Sequence, residues 1–288
     1  MLLPYTDLKA RAEDMLDGET LSDGSFIPMV NFAQKRVEEE ADWWFTEKRY
    51  TGAIVGDQAE YDYPTGTDKN GLTYDDVDKF LEVATRETAT TAKLIYDFAD
   101  YRNESIYYSG YKYLLRSSEI ILKPIPDTAM TGWEFLVDYI RVLPDFVPDY
   151  TTGTITVTNG SVDIVGVGPA WHSGMENSYM QIGTDTTWYK IATVTDTLNI
   201  ILEQTYKGLT AAGTTYILSC ASEIPERYHE AILQGACAIY KESQSEYQEA
   251  IPYWNNFVER IRLMRKDQSN RVVGQQRRIK PRLRRFIV

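Results

Sequence analysis

Between Pro148 and Cys220 the chain changes character. Residues 151–219 hold 15 threonines, eight glycines and only seven charged side chains. Runs of threonine, valine and isoleucine favour extended backbone, and the glycine, asparagine and aspartate between them supply turns. Six such runs are legible, at 153–158, 161–167, 179–182, 187–193, 198–202 and 214–218. Short strands at this density predict a compact all-β unit, an Ig-like sandwich or a small barrel. Other structure flanks it on both sides, so it reads as a domain inserted over residues 149–220.

The flanks read differently. Tyr5, Leu8, Ala12, Met15 and Leu16 recur at helical steps until Asp17-Gly18 stops them. A second helix follows, with Pro28 suited to its first turn and Val30, Ala33, Val37, Ala41 and Trp44 as its apolar stripe. Glu38-Glu39-Glu40 reads as a solvated face rather than a metal site, since histidine is missing nearby. Tyr50–Val55 and Ala59–Tyr63 read as a hairpin around Gly56-Asp57-Gln58, and residues 66–76 as loop. Residues 77–102 are open between strand and helix; a strand near Val77–Ala84 and a short helix near Leu94–Asp100 are the favoured reading. Strands are expected at Tyr111–Leu115, Glu119–Leu122 and Trp133–Val142, the last alternating Trp133, Phe135, Val137 and Tyr139 on one face. Beyond the insertion, Tyr228–Ile239 and Tyr247–Asp267 read as a helical hairpin. The expected class is α+β: a bundle of N- and C-terminal helices with a small β region in residues 1–148, the β insertion at 149–220, the helical hairpin at 221–270 and a tail at 271–288.

That tail holds seven basic side chains and no acid. Without it the chain has 42 acids against 23 bases, a net charge of −19, which repels rather than attracts nucleic acid phosphates. Arg277, Arg278, Lys280, Arg282, Arg284 and Arg285 interleave with Leu283, Phe286 and Ile287, a pattern that suits a docking peptide as well as it suits nucleic acid. No apolar run approaches the roughly 18 residues of a membrane-spanning helix, and the opening residues show no secretory signal. Cys220 and Cys237 are too few for a disulfide framework or a zinc site and read as free thiols.

Motifs that carry chemistry are missing. The chain has no phosphate-binding glycine loop, no paired-histidine metal motif and no nucleophile elbow. Gly166-Val167-Gly168 reads as a turn or bulge. His172 and His229 read as structural or solvated, and Asp75-Asp76 as adjacent acids with nothing to separate their roles. Trp171, Tyr179, Trp188 and Tyr189 raise a sugar-binding platform as an alternative, though core packing accounts for Trp188 and Tyr189 more simply. No enzyme, cofactor or metal is expected.

Several segments together resemble the head-to-tail adaptor (connector) proteins of tailed bacteriophages, particularly those of podoviruses. Gly56-Asp57-Gln58-Ala59-Glu60-Tyr61-Asp62-Tyr63-Pro64 is similar to a turn of that family, with Tyr63 in place of its leucine. Glu119–Pro126 with Asp127 is similar to its strand ending in a Pro-x-Pro turn, and Ser222-Glu223-Ile224-Pro225 to the entry of its main helix. Gly153–Ser161, Val165–Trp171, Thr187–Ile191 and Tyr206–Gly208 are similar to a β insert common in phage neck and tail proteins. The resemblance implies a structural virion protein, forming a homo-oligomeric ring of about twelve copies. That ring would join the portal to tail nozzle or fibre proteins and extend the DNA channel without specific DNA binding. It also implies attachment to the portal through the C-terminal segment. A receptor- or carbohydrate-binding tail component using the β insert is the alternative.

Overall fold

The computed structural model describes residues 4–88, 90, 92–99 and 110–271. Its dominant features are two seven-stranded sheets, each curled into a half-barrel, with four α-helices among the described residues. This overturns the expected helical bundle carrying a β insertion. Residues 47–141, read as a minor β region, instead build a sheet as wide as the one beyond Pro148.

The helices are α1 (Tyr5–Met15), α2 (Asp23–Glu40), α3 (His229–Ser243) and α4 (Tyr247–Arg271). Ser22 caps α2 by accepting the Ser25 N–H at 3.2 Å, and Asp17 and Gly18, both at positive φ, turn the chain out of α1. Pro28 lies inside α2 rather than in its first turn. The helices share one core with Trp43, Leu143, Phe146 and Ile224. Gly235 lets α3 pack close against α2, since a β-carbon there would sit 2.9 Å from that of Ala33. Two polar side chains of α2 hold the crossing strap at 143–148. Asn31 bonds the backbone of Phe146 through both N–H and carbonyl, while buried Gln34 donates to the Pro144 carbonyl and accepts from Ser222.

The first sheet comprises β1 (Glu47–Ala53), β2 (Glu60–Asp62), β5 (Val77–Arg86), β6 (Lys93–Phe98), β7 (Lys112–Arg116), β8 (Glu119–Lys123) and β9 (Glu134–Arg141). Its order is β1-β9-β5-β6-β7-β8-β2, and β6 with β7 is its one parallel pair among the described strands. The expected hairpin at 50–63 does not form: β1 pairs with β9 and β2 with β8, at opposite edges of the sheet. The intervening turn packs on residues 126–133 instead. Asp57 donates its N–H to the Pro126 carbonyl, and a β-carbon on Gly56 would come within 2.6 Å of the Thr128 α-carbon. The expected helix at 94–100 is also replaced, over its described residues, by strand β6, where buried Tyr96 pairs with Val83 of β5. Inside the curl lie Ile54, Tyr61, Val83, Tyr113, Phe135, Val137 and Tyr139.

Residues 66–76, read as loop, instead carry most of a small hairpin of β3 (Thr65–Thr67) and β4 (Thr73–Asp75). The second sheet comprises β10 (Thr154–Val157), β11 (Asp163–Val167), β12 (Tyr179–Ile182), β13 (Trp188–Asp196), β14 (Asn199–Leu202), β15 (Ala211–Thr214) and β16 (Tyr216–Ser219), in the order β15-β10-β11-β14-β13-β12-β16. Six of these strands overlap the runs legible in the sequence: four lie within them, and β13 and β16 run on past theirs, to Asp196 and Ser219. The seventh, β15, is an Ala-Ala-Gly-Thr edge that pattern alone does not reveal. In both sheets the two edge strands are consecutive in the chain.

Candidate assembly surfaces and the buried charge network

The sheets and helices meet around one carboxylate. Asp76, fully buried between β4 and β5, accepts from Lys48 of β1 at 2.7 Å, from Tyr139 of β9 at 3.0 Å and from Tyr74 of β4 at 3.2 Å. The Arg141 Nε stands 3.6 Å from it, an ion-pair distance, and the same guanidinium makes a two-pronged pair with Glu223, just ahead of α3. An acid without solvent must be charge-paired and hydrogen-bonded to persist. Asp76 therefore ties β1, β4 and β9 to the entry of the helical layer.

A second junction joins the small hairpin to the second sheet. Lys69, at the tip between β3 and β4, is buried and donates to the Glu176 carbonyl at 2.9 Å and to Ser178 Oγ at 3.4 Å. Burial pulls its amine below the ordinary lysine range. Asp68 Oδ1 holds the tip by accepting the N–H groups of Asn70 and Leu72. Ser173 and Thr67 hydroxyls lie 3.2 Å apart, and Gly71 at positive φ packs on the His172 ring. Beside this junction lies a cleft of about 260 Å³ bounded by Lys69, Asp149, His172 and Cys220.

Cys220 and Cys237 are unpaired and buried, and burial pushes their thiols up to about 11 and about 12. His229 is buried against the Ile224 carbonyl, and burial lowers both its basicity and that of His172. Among the described residues no group of three or more histidine, cysteine or acidic side chains is placed to hold a metal ion. Asp75 and Asp76 part company: Asp75 is exposed, Asp76 is the buried hub. Glu38, expected in solvent, has a buried, unpartnered Oε1 in a cleft beside Arg141, and burial raises its carboxyl to about 8. The aromatic platform is not formed, since Trp171, Tyr179 and Tyr189 are buried in the second sheet.

The exposed surface holds one feature that sequence reasoning missed. Between the edges of the first sheet is a mouth of about 480 Å³, walled by Tyr50, Tyr61, Tyr63 and Phe135 and rimmed by Asp62 and Asp75. Its walls come from β1, the β2 region and β9, which are distant in sequence, so only the excess of 21 tyrosines hints at it beforehand. The residues expected to dock, Arg277, Arg278, Lys280, Arg282, Leu283, Arg284, Arg285, Phe286 and Ile287, lie outside the described residues.

The family profile described as SU10 adaptor protein matches residues 3–163, more than half of the chain. The chain belongs to this family. The match takes in α1, α2, the whole first sheet and β10 of the second. No curated protein matches the adaptor. Membership makes it a structural phage protein, a virion component that works against other head or tail proteins. No described helix is long and apolar enough to cross a membrane.

Proposed function

We propose that the adaptor is one subunit of a ring of podovirus type that joins the portal to the tail and extends the DNA channel. The observation that carries this reading is the family match across α1, α2 and the first sheet. Two features of the molecule support it. Buried ionic and steric junctions fasten the helical layer, the first sheet and the second sheet to one another, which suits a part that transmits force between neighbours. The net charge of −19 over residues 1–270 suits a channel wall past which DNA slides without adhesion. The basic and apolar residues 277–287 are the proposed attachment to an acidic portal surface, where arginines pair with carboxylates in two-pronged fashion.

Mixing the purified chain with its cognate portal, followed by native mass spectrometry and electron cryo-microscopy, tests the proposal. A stoichiometric complex containing a ring with an axial channel is expected. No association at any salt concentration overturns the reading.

A further inference from the structure

The mouth of the first sheet combines three properties. Its walls are aromatic, its rim bears two carboxylates, and one side is an unpaired strand edge. Lys48, Tyr50 and Gly52 face Tyr139, Val137 and Phe135 of β9, and the Ile54 N–H also points to that side, donating to the Trp133 carbonyl. By the two-residue alternation of an antiparallel ladder, the N–H groups of Arg49, Thr51 and Ala53 point the other way, where no described strand pairs with β1. Lys48 and Arg49 on this edge are already neutralised by Asp76 and Asp138. Asp62 and Asp75 form no ion pair among the described residues, so the mouth presents net negative charge beside aromatic rings. An extended segment bearing arginine and large apolar side chains satisfies all three properties: it adds a strand to the edge, sets its apolar groups against the rings and pairs its guanidinium groups with the rim.

The chain delivers such a segment to this place. The last turns of α4 are fastened to the residues leading into β1: Arg265 pairs with Glu40, and Gln268 donates to the Asp42 carbonyl. Residues 272–288 therefore start a few residues' length from Glu47. They hold six basic side chains, no acid, and the sequence Arg282-Leu283-Arg284-Arg285-Phe286-Ile287-Val288. The ten residues 272–281 span up to about 33 Å when extended. The path from Thr46 to Gly52 is only about 20 Å at strand rise. Pro281, which has no N–H to donate, falls just before the proposed strand.

We propose that in the unassembled chain residues 282–288 lie as an added strand along the open edge of β1, with Phe286 in the aromatic mouth and Arg284 or Arg285 on Asp62 and Asp75. Covalent linkage keeps the segment at high effective concentration over its own acceptor. The inference does not rest on the ring or portal reading, since acceptor and segment both belong to this chain. It adds to that reading a resting place for the attachment segment before assembly.

Residue-resolved amide hydrogen exchange on the full-length chain tests it. The amides of Arg49, Thr51 and Ala53 are expected to exchange roughly tenfold more slowly than open edge amides. That slowing is expected to be independent of protein concentration, to be lost in Arg284→Glu/Arg285→Glu, and to return when Asp62→Arg and Asp75→Arg are added. The β9 amides serve as the internal control for an intact sheet. Fast exchange at all three amides in the unaltered chain overturns the proposal, and so does protection that appears only with dimer formation, which would assign the mouth to a second copy. If the charge reversals do not fold, the full-length pair Thr51→Cys/Arg285→Cys decides: an intramolecular disulfide in the monomer is expected, and its failure to form under oxidation overturns the inference.

Discussion

The α-carbon of Gly174 approaches the carbonyl of Asp68 so closely that a β-carbon built on it would lie 1.8 Å from that oxygen. Backbone meets backbone here, with no flexible side chain to yield, at the junction where the small hairpin docks on the second sheet. Gly174→Ala is therefore expected to separate the two surfaces or to strain them by about 1–3 kcal/mol. The expected signature is a lowered melting temperature together with new protease sensitivity around residues 68–72. A variant with wild-type melting and wild-type proteolysis would show that the docking contributes nothing.

Removing the hub carboxylate leaves Lys48 and Arg141 without their shared acid, and Tyr74 and Tyr139 without their acceptor. Asp76→Ala is expected to cost about 3–5 kcal/mol, the usual penalty for breaking a buried pair from one side. Urea denaturation measures it. Asp76→Asn, which keeps an acceptor oxygen, is expected to lose less.

Glu38 makes stability depend on pH with an unusual sign. Its carboxyl titrates near 8 in the folded chain against an ordinary value of 4.5, so between those values the folded state holds a proton that the unfolded state has released. Its contribution therefore weakens as pH rises through this window and levels off above about 8. Glu38→Gln is expected to raise the melting temperature at pH 8 relative to the unaltered chain, with the advantage shrinking towards pH 5. An advantage equal at both values would place the carboxyl in solvent. Beyond burial, the charges of Lys35 and Arg141 lower the Glu38 carboxyl and those of Asp145 and Asp78 raise it.

Both thiols are expected to be inert while the chain is folded. With Cys220 and Cys237 buried and titrating near 11 and 12, almost no thiolate is present at pH 8. A chromogenic disulfide reagent should find neither cysteine in buffer and both in denaturant.

What could be read beforehand was local. The spacing of Tyr5, Leu8 and Ala12 and of Val30, Ala33 and Val37 places α1 and α2 correctly, because a helix satisfies its own backbone and shows its buried side every three or four residues. The alternation of Phe135, Val137 and Tyr139 likewise identifies the core face of β9. Partnership was not legible. Gly56-Asp57 is a sound turn signal, yet its flanking strands leave for opposite edges of the sheet, because the turn packs on Thr128 and each strand finds a distant neighbour. The same limit hid the aromatic mouth, whose walls meet only once the sheet has curled.

The run at Glu38 was misjudged for a simpler reason. Three successive residues on a helix point about 100° apart, so three identical acids cannot share one exposed face. Glu39 is exposed, while Glu38 turns towards β9. The tail could be judged only by composition, and a pattern of charge and apolar residues does not name an acceptor.

The order of the strands sets a covalent limit on how far each half-barrel can open. In the second sheet the edges are β15 and β16, with Thr215 alone between Thr214 and Tyr216, so those edge ends cannot part by more than about 7 Å without breaking a ladder. In the first sheet the edges are β1 and β2, and the chain from Ala53 to Glu60 permits about 25 Å. One curl is closed by its own backbone, whereas the gape of the other is set by how its longer connection packs on residues 126–133.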